Sequence, residues 1–216
     1  MKITKIKSTI SVLMTLVVCT AWGNNERYRS AMILQIENLY EAESIDAYQL
    51  VVNAFERIGE AEGNHWEPFY YASFGYIMMA NLETDAKGKD AFLDQAIVAL
   101  NAAKSVEPEE SEIVALEGFI HMIRLTVDPQ SRGAQYSALA MKSFGRAIEL
   151  NPDNPRALYL VAQMQFGTAK FFGTSTQEAC KTATAAIDKF AEASNDDPIA
   201  PNWGERMAME FVKSCE

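Results

Sequence analysis

Histidines and cysteines, the side chains used most often for metal binding and nucleophilic catalysis, are few in this chain. Its 216 residues include two histidines, His65 and His121, and three cysteines. The histidines stand far apart and outside any HExxH motif, and no CxxC motif occurs, so the usual spacing of metal ligands is missing. The G-x-S-x-G turn of serine hydrolases and the glycine-rich phosphate loop are missing too. We therefore expect no catalytic residue, no metal site and no cofactor, and we predict a binding protein that is not an enzyme.

Pairs of adjacent carboxylates are the other candidates for chemistry. Glu109-Glu110 and Asp196-Asp197 could serve in acid/base catalysis or calcium binding. Both pairs fall where helices are predicted to begin, and carboxylates there accept hydrogen bonds from free backbone N–H groups and interact favourably with the helix dipole. Helix capping is the interpretation that we favour. His65 falls in a predicted turn and His121 within a predicted helix, where solvent exposure and packing, respectively, are the expected environments.

The first 23 residues have the layout of a secretory signal peptide. Three lysines come first, then an apolar stretch, then small residues: Lys2, Lys5 and Lys7; residues 10–18; Ala21 and Gly23. The apolar stretch is shorter than the roughly 20 residues of a transmembrane helix. We predict that the mature chain spans residues 24–216, has no transmembrane segment, and is periplasmic or secreted. A lipid anchor on Cys19 is a less favoured alternative, because Val18 replaces the small residue that bacterial lipidation requires.

Acidic side chains outnumber basic ones. The chain has 29 Asp and Glu against 19 Lys and Arg, a net charge of −10. Removal of residues 1–23 takes away three lysines and no acidic residue, which leaves 16 minus 29, or −13. Nucleic-acid binding calls instead for clustered positive charge, so we exclude nucleic acid as a partner. A mature chain of this length suits one domain or one short solenoid.

Two cysteines, Cys180 and Cys215, remain after the leader is removed. In an oxidising compartment such a pair suggests a disulfide, which would tie the C-terminus to the rest of the protein. Two buried free thiols are the alternative, because the distance between them does not follow from the sequence.

A repeated spacing gives the strongest information on the fold. A small, a large apolar, a small and a proline residue recur at positions i, i+4, i+7 and i+12 in two segments: Ala96, Leu100, Ala103 and Pro108; Ala140, Phe144, Ala147 and Pro152. The first three positions share one helical face and the proline ends the helix. Gly118 and Gly75 lie in the preceding helices, where a missing side chain lets two helices cross closely.

At these positions the chain resembles the tetratricopeptide repeat (TPR) family, most clearly over residues 90–165. The resemblance implies an all-α fold of antiparallel helical hairpins, stacked as a short right-handed solenoid with a C-terminal capping helix. We predict one domain over residues 24–216, with hairpins over 26–60, 66–106, 109–150 and 154–193 and a cap over 203–214. Residues 81–89 and 126–133 add length that typical repeats lack, so either the helices are extended or the loops enlarged.

Other segments resemble exported TPR proteins of Bacteroidetes-type bacteria that have no assigned activity. These segments are residues 66–71, 167–173 and 197–204, together with the terminal Ser214-Cys215. The resemblance implies an exported protein but supplies no catalytic residue. Phe171-Phe172 lies in a predicted turn, where two successive phenylalanines either become buried or contact a partner.

The TPR resemblance also implies a binding groove lined by the first helix of each repeat. Its positions fall on Phe69, Tyr76, Met79, Glu112, Phe119, Met122, Arg156, Tyr159, Gln163 and Phe166. An aromatic groove with one arginine would suit an extended protein or peptide segment, and this interaction module is our main functional hypothesis. The alternative is a small-ligand-binding or transport-accessory protein with a pocket between repeats. It is also possible that neighbouring helices cover these residues as ordinary core.

Overall fold

The computed structural model describes residues 25–193 and 197–215, and these ranges contain helices and no strand. The first helix, α1, covers residues 25–41, and eight more follow within the described ranges: α2 Ile45–Glu62, α3 Glu67–Leu82, α4 Ala86–Val106, α5 Ser111–Val127, α6 Pro129–Leu150, α7 Pro155–Phe172, α8 Gln177–Glu192 and α9 Glu205–Lys213. The predicted signal peptide, Cys19 and Asp196 lie outside the described residues. No helix in the described ranges is both long enough and apolar enough to cross a membrane.

Consecutive helices pack as hairpins, and the all-α prediction is confirmed. The main pairs after the first hairpin are α3 with α4, α5 with α6, and α7 with α8, while α9 packs on α8. The extra length over residues 81–89 and 126–133 extends the helices and does not enlarge the loops. Only residues 83–85 separate α3 from α4, and only Asp128 separates α5 from α6.

Side-chain caps explain where several helices begin. Ser44, Asp85, Asp128 and Asn154 each accept a hydrogen bond from a backbone N–H in the first turn of the following helix, over 2.8–3.2 Å. These bonds satisfy amide groups that have no partner inside the helix. Glu110 caps α5 in the same way, because its carboxylate accepts from the backbone N–H of Glu112 at 3.1 Å.

The repeated small and large residues form the contacts between helices. Ala96, Ala103, Ala140 and Ala147 are fully buried, as is Phe144. Gly118 lies directly against the Phe144 ring, and a Cβ atom at Gly118 would lie 2.5 Å from Phe144 Cδ1. The glycine is therefore required by the close approach of α5 and α6.

The end of the chain folds back over the repeats. Residues 197–204, which we call the strap, run without helical structure across α3, α5 and α7 before α9 begins. The structure joins Cys180 in α8 to Cys215 by a disulfide, with Cα atoms 5.9 Å apart. The disulfide and the strap together hold α9 against the last hairpin.

Candidate functional site

The ten predicted groove residues all lie at least partly inside the protein. Tyr76, Met79, Glu112, Phe119 and Tyr159 are buried, and Phe69, Met122, Arg156, Gln163 and Phe166 are half-buried. The structure does not bring them together as one open groove. The strap covers some of them and α9 covers others.

Trp203 is the aromatic side chain that the strap buries in the protein. Its ring, 6% exposed, stacks on Phe74 and Phe119 with centroids 4.9 and 5.8 Å away. Its indole N–H donates to the hydroxyl of Tyr70 at 2.8 Å. The inner face of α3 and α5 therefore already holds an aromatic side chain of the same protein.

A buried ion pair lies beside Trp203. Arg156 Nε donates to Glu112 Oε2 at 2.7 Å, and Arg156 Nη1 donates to the carbonyl of Trp203 at 3.2 Å. Although burial opposes its charge, the Glu112 carboxylate raises the pKa of Arg156 above its ordinary value. Burial and the same carboxylate raise the pKa of Tyr70, which stays a neutral hydrogen-bonding phenol. The groove residue Arg156 thus binds both the groove residue Glu112 and the strap.

Two other groove residues of α7 face α9 instead. Phe166 and Tyr159 pack on Phe211 with centroids 5.0 and 6.1 Å away. Gln163 donates to the hydroxyl of Tyr159 at 2.7 Å, while its carbonyl oxygen is buried without a hydrogen-bond partner among the described residues. The capping helix therefore occupies this end of the inner face.

A cleft of about 550 Å³ opens on the first hairpin, between α1 and α2. Small and apolar side chains line it together with polar ones: Ala31, Ala54, Ile58 and Ala61; Arg27, Tyr28, Gln35, Arg57 and Glu62. Its volume falls within the range of about 300–1,000 Å³ that is typical of small-molecule sites. This cleft is therefore an open candidate site for a small molecule.

Arg27 and Arg57 are exposed at this cleft and form no ion pair with any described residue. The described ranges contain eight arginines, and five of them pair with carboxylates. The three that form no such pair with a described residue are Arg27, Arg57 and Arg206, which lies in α9. Unpaired guanidinium groups can bind a carboxylate through two parallel hydrogen bonds. The cleft can therefore attract an anionic group to a surface that also carries small and apolar side chains.

Tyr28 is the aromatic residue that lines the cleft. It is 4% exposed, stacks on His65 with centroids 4.1 Å apart, and directs its hydroxyl to Glu67 Oε2 at 3.4 Å. Burial and the Glu67 carboxylate raise the pKa of Tyr28 well above its ordinary value. His65 is thus half-buried against an aromatic ring and not simply exposed in a turn.

His121 and the pair Phe171-Phe172 differ sharply in exposure. His121 is half-buried near Tyr136, and its Nδ1 has no hydrogen-bond partner among the described residues. Phe171 and Phe172 are 71% and 70% exposed, so the turn after α7 does not bury them. Within the described ranges no group of three or more His, Cys, Asp or Glu side chains is arranged to hold a metal ion.

Sequence reasoning missed the cleft. Arg27 and Arg57 are 30 residues apart and belong to no motif, and the repeat spacing is weak in the first hairpin. The available signal was the presence of Ala31, Ala54 and Ala61 near two arginines in an acidic chain. Only the pairing of α1 with α2 brings these residues to one face.

The fold and the cleft define an all-helical repeat protein with a surface site of small-molecule size. No protein-family model matches the chain, and no curated protein sequence matches it. Among solved structures, the chain is similar to the HusA haemophore from Porphyromonas gingivalis, with 30% sequence identity and a TM-score of 0.79. The match covers 88% of this chain and 92% of that chain. The chain belongs to the same family as the HusA haemophore.

Proposed function

We propose that this chain is an exported, non-catalytic protein that binds haem or a related porphyrin in the cleft between α1 and α2. Three observations support the proposal: the relative is a haemophore, residues 1–23 have the layout of a signal peptide, and the first hairpin carries an open cleft of about 550 Å³. The periplasm or the extracellular space is the compartment that we expect.

The side chains of the cleft suit the chemistry of a porphyrin. Haem is a flat apolar ring that carries two carboxylates at one edge. Ala31, Ala54 and Ile58 offer a surface of small and apolar groups on which such a ring can lie. Arg27 and Arg57 stand at the same cleft and can pair with the carboxylates. Burial of the ring surface would supply most of the affinity, and the arginines would set its orientation.

The pair of arginines without carboxylate partners carries the proposal. In a chain with 29 acidic and 19 basic residues, an exposed arginine has many possible partners, and five of eight have found one. Two of the remaining three line one cleft. This arrangement indicates that the two arginines bind an anionic ligand and do not stabilise the fold through ion pairs.

The position of the Tyr28 hydroxyl indicates that the cleft recognises the porphyrin ring and its carboxylates more strongly than the metal. Tyrosine can ligate haem iron through its phenolic oxygen, but Tyr28 is 4% exposed and its hydroxyl is already directed to Glu67 Oε2 at 3.4 Å. We therefore expect metal-free protoporphyrin to bind with an affinity within about fivefold of that of hemin, a difference of about 1 kcal/mol. A preference for hemin of a hundredfold or more would show that iron coordination dominates.

Hemin titration followed by absorbance tests the proposal. Replacement of both arginines in Arg27→Gln/Arg57→Gln removes two exposed ion pairs with the ligand, each of which contributes up to about 1 kcal/mol. The affinity should fall by about five- to thirtyfold. Arg206→Gln is the matched control, because Arg206 is also exposed, has no carboxylate partner among the described residues, and does not line the cleft. Equal affinity in the double variant and the control would contradict the proposed site.

Binding of a protein or peptide segment in the predicted groove has less support. Trp203 and α9 cover Phe119, Tyr159 and Phe166. A peptide would have to displace the protein's own strap or α9 to reach them. The small-ligand function is therefore the one that we propose.

A further inference from the structure

The strap contacts α1 at two points that lie outside the cleft. Near the start of α1, Arg29 Nη2 pairs with Asp197 Oδ1 at 3.1 Å. Near its end, the side chain of Tyr40, which is 41% exposed, places its hydroxyl near the backbone N–H of Asn202 and the hydroxyl of Tyr71. The strap thus spans α1 from one end to the other.

The two contact points share one face of α1, and the cleft uses another. Arg29 and Tyr40 are eleven residues apart, which is about three helical turns and brings both to the same side. Arg27 and Ala31 each lie two residues from Arg29, about half a turn around the helix. α1 therefore stands between the strap on one side and the cleft on the other.

The strap itself is held firmly by helices further along the chain. The hydroxyl of Tyr71 donates to the carbonyls of Ile199 and Ala200 at 2.9 and 3.0 Å. Trp203 is anchored by Tyr70 and Arg156. Because α3 and α7 hold the strap in place, the strap gives α1 a fixed point of attachment.

In a stack of helical hairpins each unit contacts only its neighbours, so the first unit is supported on one side alone. In the described part of the chain no hairpin precedes α1. We infer that the strap fixes the position of α1 and thereby the width of the ligand cleft. Asp197 and Tyr40 are positioning residues in this scheme, because they act through α1 without lining the cleft. The inference rests on the proposed function for its ligand, but not for its effect on α1.

Variants that keep the net charge constant test this inference without altering the attraction of an anionic ligand. Arg29→Gln/Asp197→Asn removes one contact, and Tyr40→Phe removes the hydroxyl of the other. The matched control is Glu109→Gln/Arg146→Gln, which removes the exposed ion pairs of Arg146 with Glu109 and Glu149, of 3.4 and 3.2 Å, in another part of the protein. The swapped pair Arg29→Asp/Asp197→Arg should restore the first contact.

Hemin dissociation and amide hydrogen exchange of residues 25–41 are measured for each variant. Because Arg29 and Asp197 are partly exposed, we expect dissociation to become about two- to fivefold faster in the double variant. Exchange in α1 should become faster by a similar factor, with wild-type values in the control and recovery in the swapped pair.

The two measurements separate failure of this inference from failure of the proposed function. If the wild-type protein binds hemin and the double variant and Tyr40→Phe match it in both measurements, the inference is wrong. Faster exchange with unchanged hemin dissociation would also overturn it, because α1 would then move without affecting the cleft. If the wild-type protein binds no hemin, the proposed function fails. Exchange in α1 then decides alone whether the strap fixes this helix.

Discussion

Replacement of Gly118 by alanine tests the packing of the repeats, because the same change at Gly145 should have the opposite effect. At Gly118 the new Cβ would lie 2.5 Å from Phe144 Cδ1 and still closer to Cε1. Phe144 is fully buried, so its ring cannot move aside into solvent. At Gly145, in the exposed part of α6, a Cβ would meet nothing within 4 Å.

The expected magnitudes follow from overpacking and helix propensity. Overpacking a core costs about 3 kcal/mol at the upper end, and alanine gains about 1 kcal/mol over glycine in a helix. Gly118→Ala should therefore lose about 2 kcal/mol of unfolding free energy, whereas Gly145→Ala should gain about 1 kcal/mol. For a chain of this size these values correspond to a Tm about 4–8 °C lower and about 2–4 °C higher.

Thermal and urea unfolding followed by circular dichroism at 222 nm measures both variants. Phe144→Leu provides a further check, because the smaller side chain should cost less stability in the Gly118→Ala background than in the wild-type protein. A Tm for Gly118→Ala equal to or above that of the wild-type protein would refute the account of close packing between α5 and α6.

Two further predictions concern the disulfide and His121. Replacement of both Cys180 and Cys215 by serine opens a loop with a sequence separation of 35 residues and should cost about 4 kcal/mol in the chain-entropy model; an unchanged urea midpoint would contradict this. Burial lowers the pKa of His121 below its ordinary value. As pH falls, the unfolded chain binds this proton before the folded one, so the stability conferred by the neutral histidine is complete above the unfolded pKa of about 6.5 and declines below it. His121→Gln should lose less unfolding free energy than the wild-type protein between pH 7.5 and 5.5, and an equal loss in both proteins would show that other groups cause the decline.

The repeat could be predicted because the residues that define it lie close together in the sequence. Ala96 and Leu100, like Ala140 and Phe144, sit at fixed distances within one helix, and each pattern ends in proline. The same periodicity could not show whether the extra residues near 81–89 extend helices or loops. The structure extends the helices, with caps at Asp85 and Asp128 that leave almost no loop.

The strap and the cleft could not be predicted, because they depend on contacts between distant parts of the chain. Trp203 and Tyr70 are separated by 133 residues, and no local pattern couples them. The groove positions counted along α3, α5 and α7 are buried or half-buried in the structure, but the count itself contained no information on what covers them. Arg27 and Arg57 likewise become one site only when two helices pair.

Binding of hemin to the wild-type protein, to Arg27→Gln/Arg57→Gln and to Arg206→Gln is the most direct test of the central claim. The account predicts saturable binding to the wild-type protein, about five- to thirtyfold weaker binding to the double variant, and wild-type binding to the control. Absence of saturable binding to the wild-type protein would contradict the proposed function. Equal weakening in the double variant and Arg206→Gln would instead show that general charge, and not the cleft between α1 and α2, governs the affinity.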